Sequence, residues 1–406
     1  MKTYWKLLAV LTAAGALCCT ACNNDDENGG APSLEGEIAS GATLEGNITK
    51  DAYLLQNGTY QLSGGVHVKA GATLHIAPGV NIVAVDDDKV DYILIEQGAR
   101  IDAQGTASSP IVMTSEKKSA GAWGGLHICG YAHTNAGTGV LSEIGNAPYG
   151  GSNDADNSGT LRYVRLEYTG YAFDEEHEAN GVSFYGVGNG TTVEYLQAYK
   201  GSDDGFEFFG GSVNIRYMVA TSCSDDSYDW TEGWNGRGQF LVAWQDAGVG
   251  YDCDCLMECD NNGNNFAATP VAHPVLTNLT LVGNGSDSQG VRLRAGTQVE
   301  LSNAIVTGKT KCITVETTET ETALKEGVST LEYVSMSSEL NSKEGIYTNA
   351  LFLAGSHNST DYTNTLTGNY VGTIDGGKTL SDSFFTAAPY RGAVPADNDW
   401  TRGWTL

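Results

Sequence analysis

The feature that most limits what this chain can become is a loose repeat of short strands. Segments of four to six alternating apolar and polar residues recur between Gly, Asn and Asp, with almost no sustained helical period. Gly71-Ala72-Thr73-Leu74 returns as Gly98-Ala99-Arg100-Ile101, 27 residues on. Thr192-Val193-Glu194-Tyr195-Leu196 returns as Ser212-Val213-Asn214-Ile215-Arg216 after 20 residues, and Asp203-Asp204 as Asp225-Asp226 after 22. Leu276-Thr277-Asn278-Leu279 matches Val299-Glu300-Leu301 at a similar period. Units this short, without helices, bury an apolar face only by stacking on their neighbours. The expected fold is therefore all-β, a right-handed parallel β-helix. At ~22 residues per coil and ~4.8 Å between strands, residues 45–380 predict about 15 coils and a rod of roughly 70 Å. A pair of β-sheets packed as a sandwich would need hairpin turns at regular places, whereas Asn57-Gly58, Asn180-Gly181 and Asn189-Gly190 fall at coil-like spacing.

Charge narrows the partners. The 406 residues hold 49 acidic against 22 basic side chains, a formal charge of −27, which argues against nucleic acid and anionic lipid. Cations, neutral sugars or a basic protein patch fit better. The hydrophobic fraction of 41% is too high for a disordered chain. Fifty-two glycines without a Gly-X-Y period exclude collagen.

The first residues read as an address. Lys2 and Lys6 precede an apolar run of 11 residues, Leu7–Leu17, too short to span a bilayer but suited to a signal peptide. Thr20 and Ala21 then lead to Cys22, which reads as a bacterial lipoprotein cleavage and lipidation site, although Cys19 stands where Leu is usual. Asn23-Asn24-Asp25-Asp26-Glu27 resembles the export signal of Bacteroidota surface lipoproteins. The expected organisation is a signal peptide over 1–21, a lipidated Cys22 with an acidic linker over 22–45, and a β-helix domain with a C-terminal cap over 46–406. The expected location is the outer membrane, lipid-anchored and facing outward.

Several blocks carry a wider resemblance: Gly121–Leu126 (GAWGGL), Gly159–Glu167 (GTLRYVRLE), Asp203–Gly211 (DDGFEFFGG), Asp225–Phe240 (DDSYDWTEGWNGRGQF) and Asp399–Trp404. From about Gly64 onward the chain resembles a large group of secreted or lipid-anchored β-helix-like bacterial proteins, common in Bacteroidota. Some carry a "multidrug transporter" label. The resemblance implies fold and location and hands over no chemistry.

Among candidate sites, the acidic cluster Asp203, Asp204, Glu207, Asp225, Asp226, Asp229 and Glu232 stands out. If 22 residues make one coil, Asp203-Asp204 lie beneath Asp225-Asp226, one strand spacing apart. Carboxylates so close repel unless protonated or bridged by a cation, and Ca2+ takes oxygen ligands of this kind. The expected metal ligands are Asp203, Asp204, Glu207, Asp225, Asp226 and Asp229; the alternative is solvated turn carboxylates pointing apart. The same carboxylates would serve a glycoside hydrolase or lyase, with Arg216 or Arg237 as base or clamp. Against this, neither a Gly-His-Gly nor an Arg-x-Lys segment accompanies the Asp pairs.

Aromatics crowd the same stretch. Tyr228, Trp230 and Trp234, with Arg237, are the expected ligand-binding set for a glycan or a partner outer-membrane protein. Period-two alternation nonetheless sends about half of such rings into the core. Trp123, Trp400 and Trp404 are expected to seal the ends of the rod. Cys253, Cys255 and Cys259 fall within seven residues, a spacing unlike a zinc site. Export favours disulfides among them and Cys129, Cys223 and Cys312. Asn153–Gly159 and Asp260–Asn265 lack the full calcium-loop pattern and read as turns, and His67 and His75 read as unremarkable. The combined expectation is a surface lipoprotein that binds a ligand, stabilised by Ca2+, with a polysaccharide-degrading enzyme or a structural spacer as alternatives.

Overall fold

The computed structural model describes residues 34–173 and 178–406. These residues wind as a right-handed parallel β-helix with three faces. The third face shows the stacking most plainly. Its strands Tyr92–Ile95, Leu126–Cys129, Val182–Tyr185, Phe206–Phe209 and Tyr228–Thr231 pair in parallel, each with the next. Eleven strands stack on this face, from the end of Thr43–Ile48 to Asn341–Ser342. Ten spacings of ~4.8 Å make the rod roughly 50 Å long. The expected 15 coils were too many because coils are unequal. Residues paired between neighbouring coils lie 22 apart at Asp204 and Asp226 but 56 apart at His127 and Ser183, where residues 130–158 are inserted. The stack also starts earlier than expected, since Gly36–Ile38 lies inside the segment read as linker and Thr43–Ile48 begins within it.

One corner is made by backbone that L-residues usually avoid. Tyr163, Tyr195, Tyr217, Phe240, Asn278, Asn303 and Tyr333 all have φ between 50° and 62° and follow one another coil by coil. Each divides one long strand, such as Thr192–Tyr199 or Asn214–Thr221, between the first and second faces, and the pairing register skips it. This left-handed conformation costs a non-glycine residue ~1–2 kcal/mol. Stacking offsets the cost: ring centroids lie 4.3 Å apart for Tyr163–Tyr195 and Tyr195–Tyr217, and 4.9 Å for Tyr217–Phe240.

The C-terminal segment runs along this corner. Asn278 Nδ2 donates to the carbonyls of Ala388 and Tyr390 at 3.1 and 2.7 Å, and Asn303 Nδ2 to that of Lys378 at 2.8 Å. Trp400 and Trp404 meet the tyrosines edge-on, with Trp404 5.7 Å from Tyr163 and Trp400 5.1 Å from Tyr217. They therefore cover the flank of the rod and do not seal its ends. Trp123 is interior, its Nε1 donating to the Glu167 carbonyl at 2.8 Å.

Inside, alternate residues of each strand stack in columns. Phe184, Phe208 and Trp230 form one, with Phe184 and Phe208 parallel at 5.0 Å. Two helices, Thr318–Glu326 and Asn349–Ala354, interrupt the strands near the C-terminal coils. No helix among the described residues is long and apolar enough to cross a membrane. The expected signal peptide and the expected lipidation site, Cys22, lie outside the described residues.

Candidate metal centre

The outward positions of the third face carry the acidic chemistry. In Phe206–Phe209, Phe206 and Phe208 point inward, so Glu207 points out. The next strand repeats the pattern, with Tyr228 and Trp230 inside and Asp229 outside. Register then sets Glu207 beside Asp229, Asp229 beside Glu258, and Glu258 beside Arg292. Neighbours in such a column sit one strand spacing apart.

A second row lies at the corner just before these strands. Asp226 N–H donates to Asp204 Oδ1 at 2.9 Å, and Cys255 N–H donates to Asp226 Oδ1 at 2.7 Å. One oxygen of each Asp thus ties its coil to the next. The two rows interlock. Carboxylate oxygens of Asp204, Glu207 and Asp229 lie within 4.8 Å of one another, as do those of Asp226, Asp229 and Glu258. Asp203, Asp204 and Asp225 make a third group, and Asp226, Asp254 and the Cys255 thiol a fourth.

This much charge in partial burial is costly. Burial pushes the carboxyls of Asp204, Glu207, Asp226 and Asp229 well above the usual range, and neighbouring carboxylates push them further. Burial raises Asp203 to about 7, with Asp225 and Glu178 adding repulsion. Asp225 is also raised.

Arginines relieve only one end. Arg292 bonds Glu258 at 2.8 Å and Glu316 at 3.3 Å, while Arg294 bonds Asp260 at 2.7 Å and also Glu258. Asn180 donates to Glu207 at 2.5 Å. Asp229 Oδ1 is buried with no hydrogen-bond partner among the described residues. Two oxygens bound to one Ca2+ at ~2.4 Å can be no more than ~4.8 Å apart, and hard carboxylate donors suit that ion. The residues present therefore fit a calcium-type cation. Asp204, Glu207, Asp226, Asp229 and Glu258 are the residues able to hold it, with Asp203 and Asp225 at the outer edge.

All six expected metal ligands fall in this one place. Glu232 turns away, accepting hydrogen bonds from Tyr149 and Thr134 at 2.8 and 2.7 Å. The expected ligand-binding set does not hold together. Tyr228, Trp230 and Trp234 are buried in the core and present no ring face outward. Their polar atoms are engaged inside, with Tyr228 Oη donating to Val242 O, Trp230 Nε1 to Thr297 Oγ1 and Trp234 Nε1 to Val213 O. The parity that places Asp229 outside forces its neighbours in. Arg237 begins a first-face strand, away from the acidic rows, and its Nε bonds Asp382 at 2.7 Å.

The expected disulfides are absent too. Cys129, Cys223, Cys253, Cys255, Cys259 and Cys312 are all buried free thiols. Sequence reasoning missed Glu258 and its arginines. His67 also proves engaged, bonded to Glu96 at 3.0 Å and Tyr92 Oη at 2.9 Å on the same face.

A family model described as a pectate-lyase like beta helix domain matches residues 46–405. The chain belongs to that family. No curated protein and no solved structure matches it. A pectate-lyase-like β-helix domain fits a polysaccharide-related role, in binding or otherwise.

Proposed function

We propose that this protein is a lipid-anchored cell-surface binder whose acidic rows hold Ca2+ and use it to engage a glycan. The observation that carries the reading is the interlocked set of Asp204, Glu207, Asp226, Asp229 and Glu258, in which Asp229 Oδ1 has no partner among the described residues. Calcium, when bound, would neutralise these carboxylates and offer remaining coordination positions to carboxylate or hydroxyl oxygens of a sugar. The protein's own charge of −27 repels an acidic polymer, so an intervening cation is the natural bridge. Cys22 would carry the lipid, and the strongly acidic chain would stand off the anionic membrane surface. An outer-membrane receptor could then take the captured glycan.

Binding is favoured over cleavage by the state of the nearest bases. Arg292 and Arg294 are committed to Glu258, Glu316 and Asp260. Arg237, a base or clamp in the enzymatic alternative, pairs with Asp382 on another face. Native electrophoresis through gels cast with different polysaccharides, with calcium or EDTA, tests this reading. The expected result is retardation by one polymer in calcium only. Unchanged migration in every gel would refute glycan binding, and a cleared zone would replace it with an enzyme.

A further inference from the structure

A second cleft, remote from the acidic rows, is built between the starts of the first-face strands and residues 380–385 of the C-terminal segment. It encloses about 610 Å3, within the ~300–1,000 Å3 range of small-ligand clefts. Asn189 and Asn235 stand exposed at corners of the coils, and His273 and Arg237 lie beside them. Asp382 and Phe385 form the opposing wall.

The lining has both donors and acceptors that the protein does not use. The exposed amides of Asn189 and Asn235 present donors and acceptors to the cleft, whereas His273 Nε2, which has no partner among the described residues, is buried behind it. Arg237 spends its Nε on Asp382, which fixes the guanidinium without consuming its terminal nitrogens. Half-buried Phe385 offers an apolar surface beside these polar groups. A pyranose ring matches that combination, with hydroxyls that donate and accept and a C–H face that packs on an aromatic ring.

Charge selects among sugars. Asp154, Asp382 and Glu300 line the cleft against one arginine, itself paired, so an anionic saccharide is disfavoured. We infer that the cleft beneath residues 380–385 binds a short neutral oligosaccharide, independently of calcium and of the acidic rows.

Saturation-transfer NMR on the whole protein in EDTA, with cellobiose, maltose, xylobiose and digalacturonate as probes, tests the inference. At least one neutral disaccharide should give saturable transfer that is unchanged by added calcium. Asn235→Trp, an exposed substitution that fills the cleft, should weaken it at least tenfold, and Phe385→Ala should weaken it severalfold. Circular dichroism and melting of both variants should match the parent. The inference is overturned if none of the three neutral probes binds, if binding survives Asn235→Trp, or if digalacturonate alone binds. EDTA removes any calcium bridge, so failure here leaves the acidic-row reading untouched, and the reverse holds.

Discussion

Asp204 Oδ1 accepts the backbone N–H of Asp226, its counterpart one coil on, at 2.9 Å. The same carboxylate lies within 4.8 Å of Glu207 and Asp229 oxygens. One side chain therefore ties two coils together and faces a cluster of like charge. Structural stitching and cation binding are not rival readings of these aspartates.

Replacing Asp229 with Asn separates the two effects. Loss of a charged ligand should weaken Ca2+ binding about tenfold or more by isothermal titration. The metal-free variant should melt higher than the metal-free parent, because one buried repulsive charge is gone. A lower melting temperature in EDTA would contradict the electrostatic account.

The pH dependence of the metal-free protein has a definite sign. Folding raises the carboxyl of Asp203 from 3.8 to about 7, and raises Asp204, Glu207, Asp226 and Asp229 as well. The folded state then binds more protons than the unfolded state between those values, so stability falls as pH rises. In EDTA the melting temperature should drop from pH 5 to pH 8, and saturating calcium should remove most of the drop.

His127 acts in the opposite direction. Burial lowers it from 6.5 to about 4, so the folded state prefers it neutral. Its contribution to stability is complete above pH 6.5 and fades as pH falls toward 4. An NMR titration of the ring should show no protonation at pH 5.5.

The corner ladder predicts costs at Asn278. Asn278→Val should destabilise by about 3 kcal/mol, from left-handed strain and two carbonyls of the C-terminal segment left without their donor. Asn278→Gly relieves the strain and should cost about half as much. Chemical denaturation of both variants measures the difference.

Buried thiols should hide from reagents. Burial pushes Cys129 and Cys223 up to about 12 and Cys253 to about 11. All six described cysteines should resist a thiol reagent in the native protein and react in denaturant without reductant. Fewer than six would reveal a disulfide.

Much of this was legible in the chain, and the misses have physical causes. The 22-residue offset of Asp203-Asp204 and Asp225-Asp226 is one coil, and residues paired between stacked coils share strand parity. That parity also refutes the aromatic platform: if Asp229 faces out, Tyr228 and Trp230 cannot. Phe209 is instructive because it shares Glu207's parity yet is buried, covered by Tyr185 at 4.4 Å. Glu258 escaped notice because its coil is longer, pairing it with Asp229 across 29 residues. The two helices were invisible because nine and six residues are too few to show a period. Trp400 and Trp404 were misplaced because a C-terminal segment doubling back along the rod leaves no local pattern.

The acidic rows take their members from successive coils, with no single loop supplying them. Their length is therefore counted in coils. A duplicated coil would add an outward carboxylate and a corner aspartate while leaving each existing neighbour pair intact. Deleting one would shorten the rows in the same increment. On the proposed reading, capacity for cations would thus change in discrete steps during descent, without redesign of any individual site.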